Sequence, residues 1–210
     1  MLYAMPFAVW MALMFTLPPT AESYALRSVA SLAAGVICWI LCRRSGNYRP
    51  IELNPGRVCI SAATGIATGI TVFALWISLP VWPYAAPVIS EDLPYAPTTC
   101  GWGLTIVKLI GSAFVIAPAE EIFFRSFLYR RLITRDFTSI PVSRFYLSAF
   151  MWVVLLFTLE HNRPIAAAVT GVVYGLLSLR FGIFSAIAAH VTTNFVLGLY
   201  VIFRGEWQFW

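Results

Sequence analysis

The amino-acid sequence predicts an all-α fold, a polytopic transmembrane helical bundle of seven or eight helices, and three observations carry that prediction. The first is composition: 60% of the 210 residues are hydrophobic and only 11% are charged, where a soluble domain carries roughly 25% charge. The second is length, because apolar runs of about 20 residues recur, enough to cross a hydrocarbon core ~30 Å thick. The third is pattern. The runs do not alternate apolar and polar residues, so a membrane β-barrel is excluded and helices remain to satisfy the backbone in lipid. The chain reads as a single membrane domain, 1–210, with N-terminal spans in 1–100 and a core in 101–203 that holds the unusual polar residues.

The elements follow in order. A first run, Met1 to Leu17, is closed by Pro18-Pro19. It lacks a basic leader, so it reads as a span and not as a cleaved signal peptide. A second, Leu26 to Cys42, ends at Arg43-Arg44, and a third covers Val58 to Val81. The proline-rich stretch from Pro83 to Gly101 reads as a loop. A fourth run begins near Trp102 and continues through APAEEIFFRSFLYRRL, where Pro118 should kink or divide it. The last three runs are Phe145 to His161, Ile165 to Leu179 and Ile183 to Phe203. No internal repeat is present. The four cysteines form no CxxC pair and read as small hydrophobes in helices.

The net charge of +5 is no sign of nucleic-acid binding, because the arginines stand at the ends of apolar runs. Arg43, Arg44, Arg49 and Arg57 share one loop, and Arg130, Arg131, Arg135 and Arg144 another. The loop with Glu91 and Asp92 has no basic residue. With seven crossings both basic loops fall on one side, which places the N-terminus in the cytoplasm. The expected location is a bacterial inner (plasma) membrane, with membrane lipids as the surroundings.

Charges inside a bilayer cost ~2.5–3.5 kcal/mol each even on a lenient scale, so those present mark a functional site by default. The set is Glu120, Glu121, Arg125, His161, His190 and Asn194, with Lys108 and Glu160 as outliers. Glu121 and Arg125 are four apart in the favourable order for a helical ion pair. Glu120 points about 100° away and escapes that pair, so it is available as a base or a metal ligand. His190 and Asn194 share one helix face, combining a proton-transfer or ligand group with an amide that can donate to developing negative charge. Phe157 stands one turn before His161. Lys108 is expected to snorkel or cap a loop, Glu160 to reach the outer interface beside Arg163, and the terminal EWQFW to join an interfacial aromatic belt.

These residues resemble a known family. Glu120-Glu121 with Arg125 fits the EExxxR motif of the CAAX-type (CPBP) intramembrane endopeptidases, Phe157 to His161 fits FxxxH, and His190 to Asn194 fits HxxxN. The resemblance covers about 103–200, in the family's motif order. It implies hydrolysis of a peptide bond in a hydrophobic or lipidated protein or peptide, near its C-terminus, with Glu120 activating water. It further implies Glu121, Arg125 and Phe157 as supporting residues, with His161, His190 and Asn194 completing the catalytic set. The compact length also resembles the exosortase-associated subset. Two chemistries stay open. Glu120, His161 and His190 could bind zinc with an open water position, or Glu120 could act without metal while His190 and Asn194 hold the oxyanion. The residues favour the second, since asparagine is a poor zinc ligand. Ser126 and Thr158 stand where many members have glycine, which loosens helix approach. The alternatives outside proteolysis are a non-catalytic scaffold or immunity protein and a small proton-coupled transporter.

Overall fold

The computed structural model describes residues 2–44, 55–80 and 94–210. Among these residues the chain is 85% helical, has no strand and forms seven helices. They are α1 (Met5–Thr16, entered through a 3₁₀ turn at Leu2–Ala4), α2 (Ala21–Arg44), α3 (Pro55–Ser78), α4 (Pro97–Ile133), α5 (Leu147–Leu159), α6 (Pro164–Phe181) and α7 (Ile183–Arg204). Five of them, all but α1 and α5, are long and apolar enough to cross a membrane. Large apolar side chains such as Phe15, Val29, Trp102, Leu147 and Phe203 are exposed, as a lipid-facing surface requires. Arg49 and the acidic loop of Glu91 and Asp92 lie outside the described residues.

Pro118 does not divide the fourth segment, so the expectation of an eighth helix is corrected. From Trp102 to Ile133 α4 runs on without a break. Proline lacks the N–H of a regular turn and its ring crowds the carbonyl four residues back. Here a wide π-helical turn, Gly111–Ile116, precedes it, and Pro118 enters at the start of the next α-helical stretch with no loss of helical backbone. A second π stretch covers Ile122–Leu128. The expected loop also ends earlier than predicted. Pro97 opens a helical turn, and Gly101, at φ 79, sets the break after which the long helix proceeds.

Two pairs of close contacts position the C-terminal half. Gly65 and Gly69 of α3 lie against α7: a Cβ on Gly65 would sit 2.7 Å from the Ala188 Cβ and from the Ser185 carbonyl oxygen. Thr193 Oγ1 of α7 then donates to the Gly69 carbonyl at 2.8 Å. On the other side Tyr129 Oη donates to the Arg144 carbonyl at 2.6 Å and accepts from the Tyr146 N–H at 2.8 Å, which docks the start of α5 on α4. Two apolar clusters result. One joins α1, α2, α4 and α5 around Phe7, Trp10, Phe124 and Phe157, and the other joins α3, α6 and α7 around Val72, Tyr174 and Ala189. The polar residues sit where these clusters meet.

Depth along the chain placed Glu120 about 15 Å from Arg130 and His190 about 15 Å from Arg180, but His161 about 25 Å from Arg144. The fifth helix is shorter than that run: its 13 residues end at Leu159, a rise of about 20 Å. The chain then turns, with the His161 N–H donating to the Thr158 carbonyl at 3.2 Å. His161 therefore lies at the apex between α5 and α6, not on a helix.

Candidate active site

Glu121 is the centre of the polar cluster. It is completely buried, and its two oxygens face two different partners. Arg125 Nε lies 3.3 Å from Oε2, and His190 Nδ1 lies 2.9 Å from Oε1. The predicted Glu121–Arg125 pair is present, but the histidine contact across helices is the shorter one. Desolvation makes an unpaired charge here very costly, so the carboxylate holds both partners in place.

Glu120 is also buried and has no such satisfaction. Its Oε2 is 3.7 Å from His190 Nε2, beyond hydrogen-bond range, and has no hydrogen-bond partner among the described residues. With Nδ1 held by Glu121, the remaining nitrogen of His190 is turned to Glu120. The two adjacent glutamates thus grip one imidazole from opposite edges.

Phe157 organises the histidines. Its ring is wholly buried and lies 4.4 Å from the His161 ring and 6.0 Å from the His190 ring. The Arg125 guanidinium stacks on the same ring at 4.4 Å. His161 Nδ1 is 2.7 Å from the Phe157 carbonyl, so Nδ1 carries the proton and Nε2 a lone pair. Tyr174 covers the other face of His190 with ring centroids 5.1 Å apart, and its hydroxyl donates to Thr193 Oγ1 at 2.6 Å. Asn194 Nδ2 donates to the Ser112 carbonyl at 3.1 Å, an oxygen inside the π turn that also accepts the Ala117 N–H.

His161, His190, Asn194 and Phe157 line one cavity of about 210 Å³. Its other walls include Trp76, Asn162, Tyr174, Lys108, Phe209 and Trp210, none predicted as site residues. Asn162 follows His161 directly and was open to inference, whereas nothing in the spacing of Tyr174 or Trp76 distinguishes them from ordinary core aromatics.

Several expectations about outlying residues are corrected. Lys108 does not snorkel; its Nζ lies over Tyr24 at 4.0 Å and Tyr95 at 4.6 Å. Arg163 does not pair with Glu160; Nη2 donates to the Leu79 carbonyl at 2.8 Å and the guanidinium stacks on Phe209 at 4.7 Å. Glu160 Oε2 is buried without a hydrogen-bond partner, because the turn after α5 folds the residue inward. Phe209 and Trp210 wall the cavity and are not belt residues. Ser126 stays buried and accepts from Arg130 Nη2 at 2.9 Å, while Thr158 bonds back to the Val154 carbonyl at 2.7 Å. Neither opens a gap.

The metal reading was tested on the same geometry. Among the described residues no group of three or more His, Cys, Asp or Glu side chains has a metal-ligating arrangement. His190 Nδ1 and His161 Nδ1 are engaged by Glu121 and the Phe157 carbonyl, which leaves the Nε2 atoms, with Glu120, as the groups that would face a metal.

Residues 102–196 match the family model described as Type II CAAX prenyl endopeptidase Rce1-like. Over these residues, just under half of the chain, it is similar to the CAAX-type (CPBP) family. The CAAX-type family is one of intramembrane proteases, and with five long apolar helices the chain is an integral membrane protein. All three motifs lie within the matched segment, which runs from just past Gly101 in α4 into the second half of α7. The match does not distinguish the exosortase-associated subset. No curated protein and no solved structure matches the chain.

Proposed function

We propose that this protein is an intramembrane endopeptidase that hydrolyses a peptide bond in a hydrophobic or lipidated protein segment by glutamate-activated water. The observation that supports this reading is the placement of Glu120 Oε2 3.7 Å from His190 Nε2, with Glu121 fixing the other edge of the ring at 2.9 Å. A lone pair facing a carboxylate is repulsive, so a proton belongs between these two groups. A water hydrogen-bonded to both would complete a triangle with sides of about 2.8 Å.

The chemistry then runs on this chain's own residues. Glu120 takes a proton as the water oxygen attacks the scissile carbonyl. The carbonyl oxygen gains negative charge and accepts from His190 Nε2–H and from the second Asn194 amide hydrogen, the first being held by Ser112. The proton on Glu120 passes to the departing amine, with the His161 Nε2 lone pair assisting the transfer. Arg125 offsets the charge of Glu121 within the buried cluster. The N-terminus is proposed to face the cytoplasm of a bacterial cell.

The test uses purified protein in detergent with an internally quenched hydrophobic peptide. Wild type is expected to cleave it, and Glu120→Gln and His190→Ala to lose activity ~10²–10⁴-fold, the range of a general base. Equal cleavage by all three would leave a scaffold or transporter as the better reading. A chelator is expected to leave the rate unchanged; loss of activity restored by zinc would overturn the metal-free route.

A further inference from the structure

The end of the cavity remote from the histidines is built around cations that have no acidic partner. Lys108 lines the same cavity as His161, His190 and Asn194. Its ammonium is surrounded by the faces of Tyr24 at 4.0 Å, Tyr95 at 4.6 Å and Trp210 at 5.9 Å. No carboxylate pairs with it among the described residues. Behind it lies a second cation, Arg27 of α2, with 6% of its surface exposed. Its guanidinium stacks on Trp10 at 4.9 Å and on Tyr24 at 5.6 Å, and its Nε is buried without a hydrogen-bond partner. Tyr24 is thus shared by two cations of like charge.

Aromatic faces stabilise a cation by ~0.5–2 kcal/mol. That is small beside the cost of burying two charges with nothing to neutralise them. An anion entering from the cavity would remove the imbalance and make a charge-assisted hydrogen bond with Lys108 Nζ. We propose that Lys108, with Arg27 behind it, forms an anion subsite for the terminal carboxylate of the peptide whose bond is cut. This rests on the proteolytic reading and adds to it which end of the substrate is recognised. Lys108 and Glu120 are twelve residues apart on α4, a rise of about 18 Å. An extended chain covers ~3.3 Å per residue. A carboxylate on Lys108 therefore brings a bond about five residues from the C-terminus to Glu120 when the segment between is extended. Asn194 and Ser112, which also line the cavity and are hydrogen-bonded to each other, are polar groups such a segment would meet.

The probe is a dansylated Leu-Ala-Leu-Ala-Leu-Ala peptide, made with either a free C-terminal carboxylate or a carboxamide. Binding and cleavage are both measured on the full chain in detergent. Wild type is expected to bind the acid about tenfold more tightly than the amide. Lys108→Met should bring that ratio to about one, and Lys108→Arg should keep it above three. Equal binding of acid and amide by wild type overturns the subsite, and this arm needs no variant to fold. Retention of the full ratio in Lys108→Met, with an unfolding transition like that of wild type, also overturns it. So does a carboxamide peptide ending in aspartate that binds as tightly as the acid, since a side-chain carboxylate would then suffice. Addition of an anionic phospholipid that abolishes the acid–amide difference would assign the cations to a lipid phosphate instead. If neither peptide is cleaved, proteolysis fails as a reading, while the binding ratio still decides the subsite.

Discussion

Glu121 holds an arginine and a histidine from a position with no exposed surface, and Glu120 beside it holds neither at hydrogen-bond distance. The two should therefore respond differently to the same neutral substitution. Glu121→Gln leaves Arg125 without its counter-charge, which is expected to cost about 3–5 kcal/mol and to lower the Tm measured in detergent. Glu120→Gln should keep the Tm within a few degrees while activity is lost. If both variants unfold alike, the division of labour is wrong. Asn194→Ala is expected to lower kcat by ~10²–10³ with little change in KM, the signature of a donor used in the transition state. The motif residues were legible because ionisable groups are rare in apolar runs. The sharing of Glu121 was not, since a contact between residues 69 positions apart leaves no trace in local spacing.

The seven helices were legible from hydropathy alone, and their ends shifted by only a few residues. Two features of single elements were not. The helix α5, with 13 residues, is about seven residues too short for a ~30 Å core, which brings His161 to a turn at the level of the cavity. A length argument that assumed a full crossing misplaced it. The approach of α3 to α7 was carried by Gly65 and Gly69, a G-x-x-x-G pair that allows close backbone contact. Gly69→Val is expected to push the helices apart, since a Cβ there meets the Ala189 carbonyl and the Thr192 Cβ. The expected cost is about 1–3 kcal/mol. Because α7 carries His190 and Asn194, activity should fall more than the Tm does. Full activity in a stably folded Gly69→Val would show that the α3–α7 contact does not position the site.

At the scale of the whole molecule, residues from outside the matched segment complete the cavity. Trp76 of α3 and the C-terminal Phe209 and Trp210 are part of its wall. Trp210 also packs on Tyr95, with ring centroids 6.4 Å apart. A chain ended at Gly205 is expected to keep its helices, to lose a few degrees of Tm, and to show a KM for the hydrophobic peptide raised several-fold with kcat less affected. An unchanged KM would mean that these aromatics only cover the bundle. Composition could place such residues in a membrane protein but not in the site, because belt tryptophans and cavity tryptophans have the same hydropathy.

The wide turn at Gly111–Ile116 sets the phase of the longest helix. In an uninterrupted α-helix, positions 108 and 120 would differ in azimuth by about 120°. A π turn absorbs one residue without advancing the spiral as an α residue would, so the twelve steps rotate like eleven and the difference shrinks to about 20°. Lys108 and Glu120 therefore look out along the same meridian. Excising a single residue such as Ala113 should restore a regular spiral of eleven steps, leave helicity by circular dichroism almost untouched, and keep the carboxylate within about 20° of the lysine. The same loss from an uninterrupted helix would shift the phase between the two residues by about 100°.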